Sequence, residues 1–249
     1  DMVLDVNGYR HGWRWPAKNL EMDIALLSRA KAVGASVIHL PKSYGPFEEA
    51  QKPLMRDLFR LVDLAFARDR FAFAHASEVV SDAGMLRLEP DHSSFGSPEK
   101  GMRADPIFRG AIVLIPNHKL VEAGSFSDVG SHFEFLKTLV SLPAFGAFPK
   151  IVLFHQGRDY ALYRGKCESA RIPYRFSDRP LQTRSNLGAA EFVIPGRYHG
   201  MVNALTQEVP CAVLSWSQKY QGYLEFFDLG GLRIFDLVGG QGPHEHIFG

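Results

Sequence analysis

Apolar runs of strand length alternate with amphipathic stretches of helix length along most of the chain, the pattern of parallel α/β construction. The alternation comes in two blocks. In the first, the pattern predicts a strand over 2–6, a helix over 20–33 closed by Gly34, a strand over 36–40, a helix over 50–62 and a short strand over 64–68. Residues 89–109 then lose their periodicity and collect Pro90, Gly96, Pro98, Gly101 and Pro106, which reads as a linker. The second block predicts strands over 111–116, 150–155, 174–176, 191–194 and 211–216, interleaved with helices over 131–142, 159–170, 181–188, 198–207 and 220–227.

Two Rossmann-like domains facing each other across a cleft follow from this pattern, residues 1–105 and residues 106–249. The first is expected to lack its opening unit, because Asp1-Met2-Val3-Leu4-Asp5 already reads as a strand. In such sheets the ligand lies beyond the carboxyl ends of the strands, where loops enter helix N-termini carrying partial positive charge. The residues just after each strand are rich in cations and hydrogen-bonding groups: Pro41-Lys42-Ser43-Tyr44-Gly45, Arg68-Asp69, Asn117-His118-Lys119, His155-Gln156-Gly157-Arg158-Asp159, Gly196-Arg197-Tyr198-His199-Gly200 and the segment 215–219 ending in Lys219.

Charge narrows the ligand. With 28 basic and 27 acidic residues the chain carries a formal net charge of +1, so no global field holds a nucleic acid, while a small anion remains compatible with local cations. The two cysteines, Cys167 and Cys211, sit among apolar neighbours and read as buried thiols of a reducing compartment. No run approaches the roughly 20 apolar residues needed to span a bilayer, and no signal stretch opens the chain; a cytoplasmic protein is expected.

The strongest local motif is Gly196-Arg197-Tyr198-His199-Gly200, where a buried strand feeds a helix start. Arg197 there could hold a carboxylate or phosphate in a bidentate clamp, and His199 could carry a proton. The bland alternative is a glycine-rich turn whose arginine pairs with a carboxylate. His155 stands at the equivalent strand end one unit earlier, as an acid or base or as a core histidine, and Asp159 is expected to cap the following helix. Pro41-Lys42-Ser43-Tyr44-Gly45 departs from the G-x-S-x-G nucleophile elbow at its first position and reads better as a binding loop in which Lys42 and Ser43 face the cleft. Tyr9, Trp13 and Trp15 with Arg10, His11 and Arg14 form a loop cluster that either stacks on sugar or pins the loop. No phosphate loop, dinucleotide fingerprint or H-E-x-x-H is present, so no cofactor and no metal are expected, and His244-Glu245-His246 is a poor metal site on its own.

The block Gly196-Arg197-Tyr198-His199-Gly200, followed by Val209-Pro210 and Ser-Trp-Ser-Gln-Lys-Tyr-Gln-Gly over 215–222, resembles the polysaccharide pyruvyl transferase family. Pro41 to Phe47, Ala67-Arg68-Asp69, Ser81-Asp82-Ala83, Ile115-Pro116-Asn117 and His155 to Asp159 look like its other stations, in order. The resemblance implies a GT-B-like fold, with residues 1–105 on the acceptor side and residues 106–249 on the phosphoenolpyruvate side, and transfer of pyruvate from phosphoenolpyruvate to two hydroxyls of one sugar, giving a cyclic ketal and phosphate. It implies a glycan acceptor, often lipid-linked, which would bring the protein to the inner face of a membrane. Catalysis would then fall to His199 and His155, and substrate binding to Arg197, Arg68, Lys42, Ser43, Gly196, Gly200, Asn117 and Lys219. The family's H-E-G station reads His155-Gln156-Gly157 here, so no carboxylate role passes to position 156. A glycosyltransferase using a nucleotide sugar, a serine hydrolase working through Ser43 and a non-catalytic glycan-binding relative are the competing readings.

Overall fold

A computed structural model describes residues 1–12, 15–96, 102–229 and 234–236. Trp13, Arg14, Pro98, Gly101 and His244-Glu245-His246 lie outside the described residues. The chain forms two compact units: Asp1–His92 with Gln221–Leu229, and Ser93–Tyr220 with Gly230–Gly249.

The first unit runs β1 (Met2–Asp5), β2 (Tyr9–His11), α1 (Ala17–Ala32), β3 (Ser36–Tyr44), α2 (Lys52–Phe59), β4 (Leu64–Ala67), α3 (Arg70–Ser77) and β5 (Leu86–Leu88). Its sheet has the order β1-β3-β4-β5 with every pairing parallel, and β2 joins the far end of β3 through Tyr9↔Ser43 and His11↔Tyr44. The core fills with Leu20 and Leu27 of α1, Val37 of β3, Met55, Leu58 and Phe59 of α2, and Ala65 and Ala67 of β4. Gly34, at φ +79°, supplies the left-handed residue that turns the chain from α1 into β3. Asp69 starts α3 by accepting from the Ala72 N–H at 2.7 Å.

The third strand corrects one expectation. Pro41 to Tyr44 are not a loop: β3 continues through them. Pro41 has no N–H to give, and the ladder to β4 shifts register between His39 and Lys42, which accommodates it. Beyond the shift, β2 supplies new partners for Ser43 and Tyr44. Strand β2, helix α3 and strand β5 were not foreseen from periodicity.

The second unit runs β6 (Ile112–Ile115), α4 (Lys119–Glu122), α5 (Val129–Val140), β7 (Lys150–Phe154), α6 (Gly157–Ser169), β8 (Tyr174–Phe176), α7 (Pro180–Leu187), β9 (Phe192–Pro195), α8 (Tyr198–Leu205) and β10 (Val213–Ser215). It is completed by the start of α9 (Lys219–Phe226), whose later residues belong to the first unit, and by β11 (Ile234–Asp236). Its main sheet has the parallel order β8-β7-β6-β9; β10 pairs with β11, and a bridge between Val193 and Cys211 links β9 to β10. Numbered within the unit the strands therefore run 3-2-1-4-5-6, the dinucleotide-fold order. Ile112, Val113, Leu114 and Ile115 are at most 1% exposed, which is why this strand reads as an unbroken apolar run. The order reverses between β6 and β9; at such a reversal the loops leaving the two strands run to opposite faces of the sheet, the place where a crevice for ligand forms in this fold.

Cys167 and Cys211 are free and buried, and burial pushes both thiols up to about 12. Among the described residues no helix is long and apolar enough to cross a membrane.

Candidate functional site at the switch point of the second sheet

The loops after β6 and β9 are tied together before any ligand is considered. Asn117 follows β6 and is 1% exposed; its Nδ2 donates to the Gly196 carbonyl at 2.7 Å and its Oδ1 accepts from the Lys119 N–H at 3.0 Å. The Tyr220 hydroxyl donates to the same Gly196 carbonyl at 2.9 Å. A Cβ on Gly196 would sit 3.1 Å from the Ile115 carbonyl, and one on Gly200 would sit 2.8 Å from Ile115 Cδ1. Both glycines thus let the turn after β9 and the first turn of α8 press against β6. Their part, with that of Asn117, is to fix the floor of the crevice.

On that floor the charged residues converge on Asp159. Its carboxylate, 2% exposed, accepts from the His118 N–H at 3.0 Å and lies 2.7 Å from His118 Nδ1. Arg197 Nε donates to it at 2.7 Å, and Arg197 Nη2 donates to the same oxygen. Arg197 Nη2 also lies 3.2 Å from His118 Nδ1. Asp159 is therefore not a helix cap: it lies inside the first turn of α6, with Gln156 in the capping position, and its side chain turns inward to orient Arg197 and His118. Neither role is visible in the sequence, because residues 118, 159 and 197 meet only when β6, β7 and β9 are side by side.

His155, at the end of β7, is half-buried, and its Nε2 has no hydrogen-bond partner. Burial, with the nearby Arg197 and His199 charges, pushes its pKa down to about 4 against a weaker opposing pull from Asp159. It is a neutral imidazole at pH 7. His199, in the first turn of α8, is exposed and meets the Tyr198 ring edge-on with centroids 5.3 Å apart. Arg197 occupies the N-cap of α8, and its side chain makes no capping bond there but turns to Asp159, beside the positively polarised start of the helix. Lys219 is held over three rings, its Nζ 4.3 Å from the Trp216 centroid, 5.4 Å from that of Tyr220 and 5.5 Å from that of Tyr198.

The structure thus brings Asn117, His155, Gly196, Arg197, His199, Gly200 and Lys219 together within the second unit. Lys42, Ser43 and Arg68 belong to the first. Lys42 is 0% exposed, and its ammonium donates to Asp5 rather than standing in an open loop. Arg68 Nε donates to Ser43 Oγ at 2.9 Å and its Nη1 to Asp91 at 2.9 Å, so Arg68 and Ser43 form one buried network at the carboxyl ends of β3 and β4. In β2 and the loop after it, Tyr9 and Trp15 meet edge-on at 6.3 Å, Arg10 and His11 both bind Asp23, and Gln51 Nε2 donates to the Trp15 carbonyl. These contacts pin the loop to α1 and α2.

Structural comparison finds a similar fold in solved structures of other proteins. The UDP-GlcNAc 2-epimerase of Methanocaldococcus jannaschii, in complex with UDP-GlcNAc and UDP, superposes with a TM-score of 0.60 at 11% identity, over 95% of this chain and 64% of that one. S. aureus MnaA with UDP gives 0.59 at 12% identity, over 94% and 61%. The chain spans less than two thirds of the length of these structures, and at such identity the likeness shows the fold alone: α/β, with two Rossmann-like units of the GT-B-like kind. A search of curated protein sequences finds no match. The family model for polysaccharide pyruvyl transferases, in contrast, matches residues 3–218, a span that runs from β1 through β10 and takes in Ser43, Arg68, Asn117, His155, Asp159, Arg197 and His199: the chain belongs to the polysaccharide pyruvyl transferase family.

Proposed function

We propose that the protein transfers pyruvate from phosphoenolpyruvate to two hydroxyls of one sugar in a polysaccharide or lipid-linked glycan, releasing phosphate and leaving a cyclic ketal. The observation that carries this reading is the convergence at the switch point of the Arg197 guanidinium, the positively polarised start of α8 and two histidines of different exposure. Phosphoenolpyruvate places a carboxylate and a phosphate on one small frame, and such a donor set answers both.

In this reading Arg197, aligned by Asp159, and the α8 N–H groups hold the anionic groups, and Lys219 adds a second cation. His199 is open to solvent and delivers a proton to the methylene carbon as C2 becomes cationic. A sugar hydroxyl adds to C2 and gives its proton to His155, which burial keeps neutral at pH 7 and therefore able to accept it. Phosphate then leaves and a second hydroxyl adds at C2 to close the ketal, its proton going to the departing phosphate, and the proton taken by His155 returns to His199 through solvent. A lipid-linked acceptor would place the reaction at the inner face of the membrane.

The test is ligand protection. A ligand at a hundred times its dissociation constant stabilises the folded protein by about 2.7 kcal/mol. Phosphoenolpyruvate is expected to raise the melting temperature of the wild type and not of Arg197→Ala. Protection by UDP-sugars with none by phosphoenolpyruvate would instead favour a nucleotide-sugar enzyme.

A further inference from the structure

A second cluster lies in the first unit, at the carboxyl ends of β1 and β2 and beside the middle of β3, and the reaction above makes no use of its histidines. Asp5 ends β1, His11 ends β2, and His39 stands opposite Asp5 in the ladder between β1 and β3. One ligand-type atom from each, the carboxylate and two imidazole nitrogens, lies within 4.8 Å of the others. His11 and His39 are both 0% exposed.

The two rings are prepared in the same way. His11 Nε2 is engaged by the Asp23 carboxylate at 3.1 Å, which leaves Nδ1 buried with no partner. His39 Nδ1 is engaged by the Tyr44 hydroxyl at 3.0 Å, which leaves Nε2 buried with no partner, 3.6 Å from Asp5 Oδ2. A buried ring nitrogen without a hydrogen bond is costly, and two in one cluster need a reason. A ring held by a carboxylate or hydroxyl on one nitrogen, with the other turned to a shared centre, is the usual environment of a metal-binding histidine. Two imidazoles and one carboxylate suit a first-row transition ion and leave a coordination position open. The cation now present is internal: the Lys42 ammonium binds Asp5 Oδ2.

We propose that Asp5, His11 and His39 form a binding site for a zinc-class divalent cation, in competition with the Lys42 ammonium for Asp5. The ion would join three strands at one point, including β2, whose pairing to β3 rests on two register positions.

The experiment is a titration of the chelator-treated, full-length chain with Zn²⁺ against a chromophoric competitor, with Co²⁺ absorption reporting the ligand field. Wild type is expected to bind one equivalent. His11→Gln and His39→Gln should each weaken binding at least tenfold, and Asp23→Asn by about 10–100-fold through the ring it orients. Lys42→Met should tighten binding at least tenfold by removing the competitor. A double His244→Gln, His246→Gln variant should bind as wild type does. The proposal fails if neither wild type nor Lys42→Met binds a stoichiometric ion, or if binding survives both His11→Gln and His39→Gln. It fails equally if the tail variant abolishes binding. Should Lys42→Met not fold, the histidine variants in the wild-type background still decide, since loss of binding in both supports the site.

Discussion

Replacing Asp159 by asparagine keeps the shape of the residue at the centre of the switch-point site and removes its charge. One carboxylate oxygen serves the His118 N–H at 3.0 Å and faces His118 Nδ1 at 2.7 Å; the other serves Arg197, with Nε at 2.7 Å. An amide offers one acceptor oxygen. Turned toward Arg197, it presents an NH₂ to the buried His118 N–H, which loses its acceptor at a cost of about 1–3 kcal/mol; turned the other way, it sets that NH₂ against the guanidinium. Two charge-assisted bonds to Arg197 also become neutral-acceptor bonds, a loss of about 1 kcal/mol or more. The sum is about 3 kcal/mol, at the lower edge of what breaking a buried ion pair costs. In a chain of this size that lowers the melting temperature by roughly 10 °C. Because Arg197 then lacks its aligning partner, affinity for phosphoenolpyruvate should fall at least tenfold. Differential scanning calorimetry and ligand protection on the same samples measure both. A variant that melts within 1 °C of wild type and binds phosphoenolpyruvate equally well would refute the role given to Asp159.

Three further outcomes follow from the same geometry. Gly200→Ala places a Cβ 2.8 Å from Ile115 Cδ1 and 3.2 Å from Pro195 Cβ and should cost about 1–3 kcal/mol by overpacking, seen as a lower urea midpoint. Asn117→Ala removes the bond to the Gly196 carbonyl and should destabilise by about 1–2 kcal/mol, with faster amide exchange in residues 117–119 and 196–200. His132 and His155 are both held down to about 4 by burial, so below their unfolded value near 6.5 the unfolded chain binds protons that the folded chain refuses. Stability should therefore decline as pH falls from about 6.5 to 4, by up to about 3 kcal/mol for each histidine; His155→Gln should flatten that decline, and an unchanged slope would contradict the burial described for it.

The second unit was legible because its central strands β6, β7 and β9 are short, largely buried apolar runs with a glycine or proline beside an end, and α6 and α8 start within three residues of the strands they follow. Predicted and observed elements differ by a residue or two at the ends, as with 159–170 against Gly157–Ser169, and the strand over 174–176 coincides with Tyr174–Phe176. The first unit was harder. Its β2 is three residues carrying polar side chains, Tyr9-Arg10-His11, with no apolar alternation to mark it, and it exists because β3 continues past Pro41 to meet it. The short α3, Arg70-Phe71-Ala72-Phe73-Ala74-His75-Ala76-Ser77, has little amphipathic contrast beyond Ala72 and Ala76 facing the core.

At the site, strand-end logic located Arg197, His199 and His155, since each follows a recognisable apolar run. It assigned Asp159 to a cap because residue type and position at a helix start favour capping, and nothing local reveals that Arg197 lies 38 residues away in sequence and 2.7 Å away in space. Asp5, His11 and His39 were passed over for a similar reason: six and 28 residues apart, they match no ligand spacing and meet only through strand pairing.

The central claim is pyruvyl transfer at the switch point of the second sheet. Its most direct test is phosphate release from phosphoenolpyruvate, measured with and without a panel of glycan acceptors, in wild type, Arg197→Lys and His199→Gln. The account predicts release that depends on one acceptor class, matches ketal formed mole for mole, and falls at least a hundredfold in both variants. Release that ignores the acceptor, or activity that survives both substitutions, would contradict it.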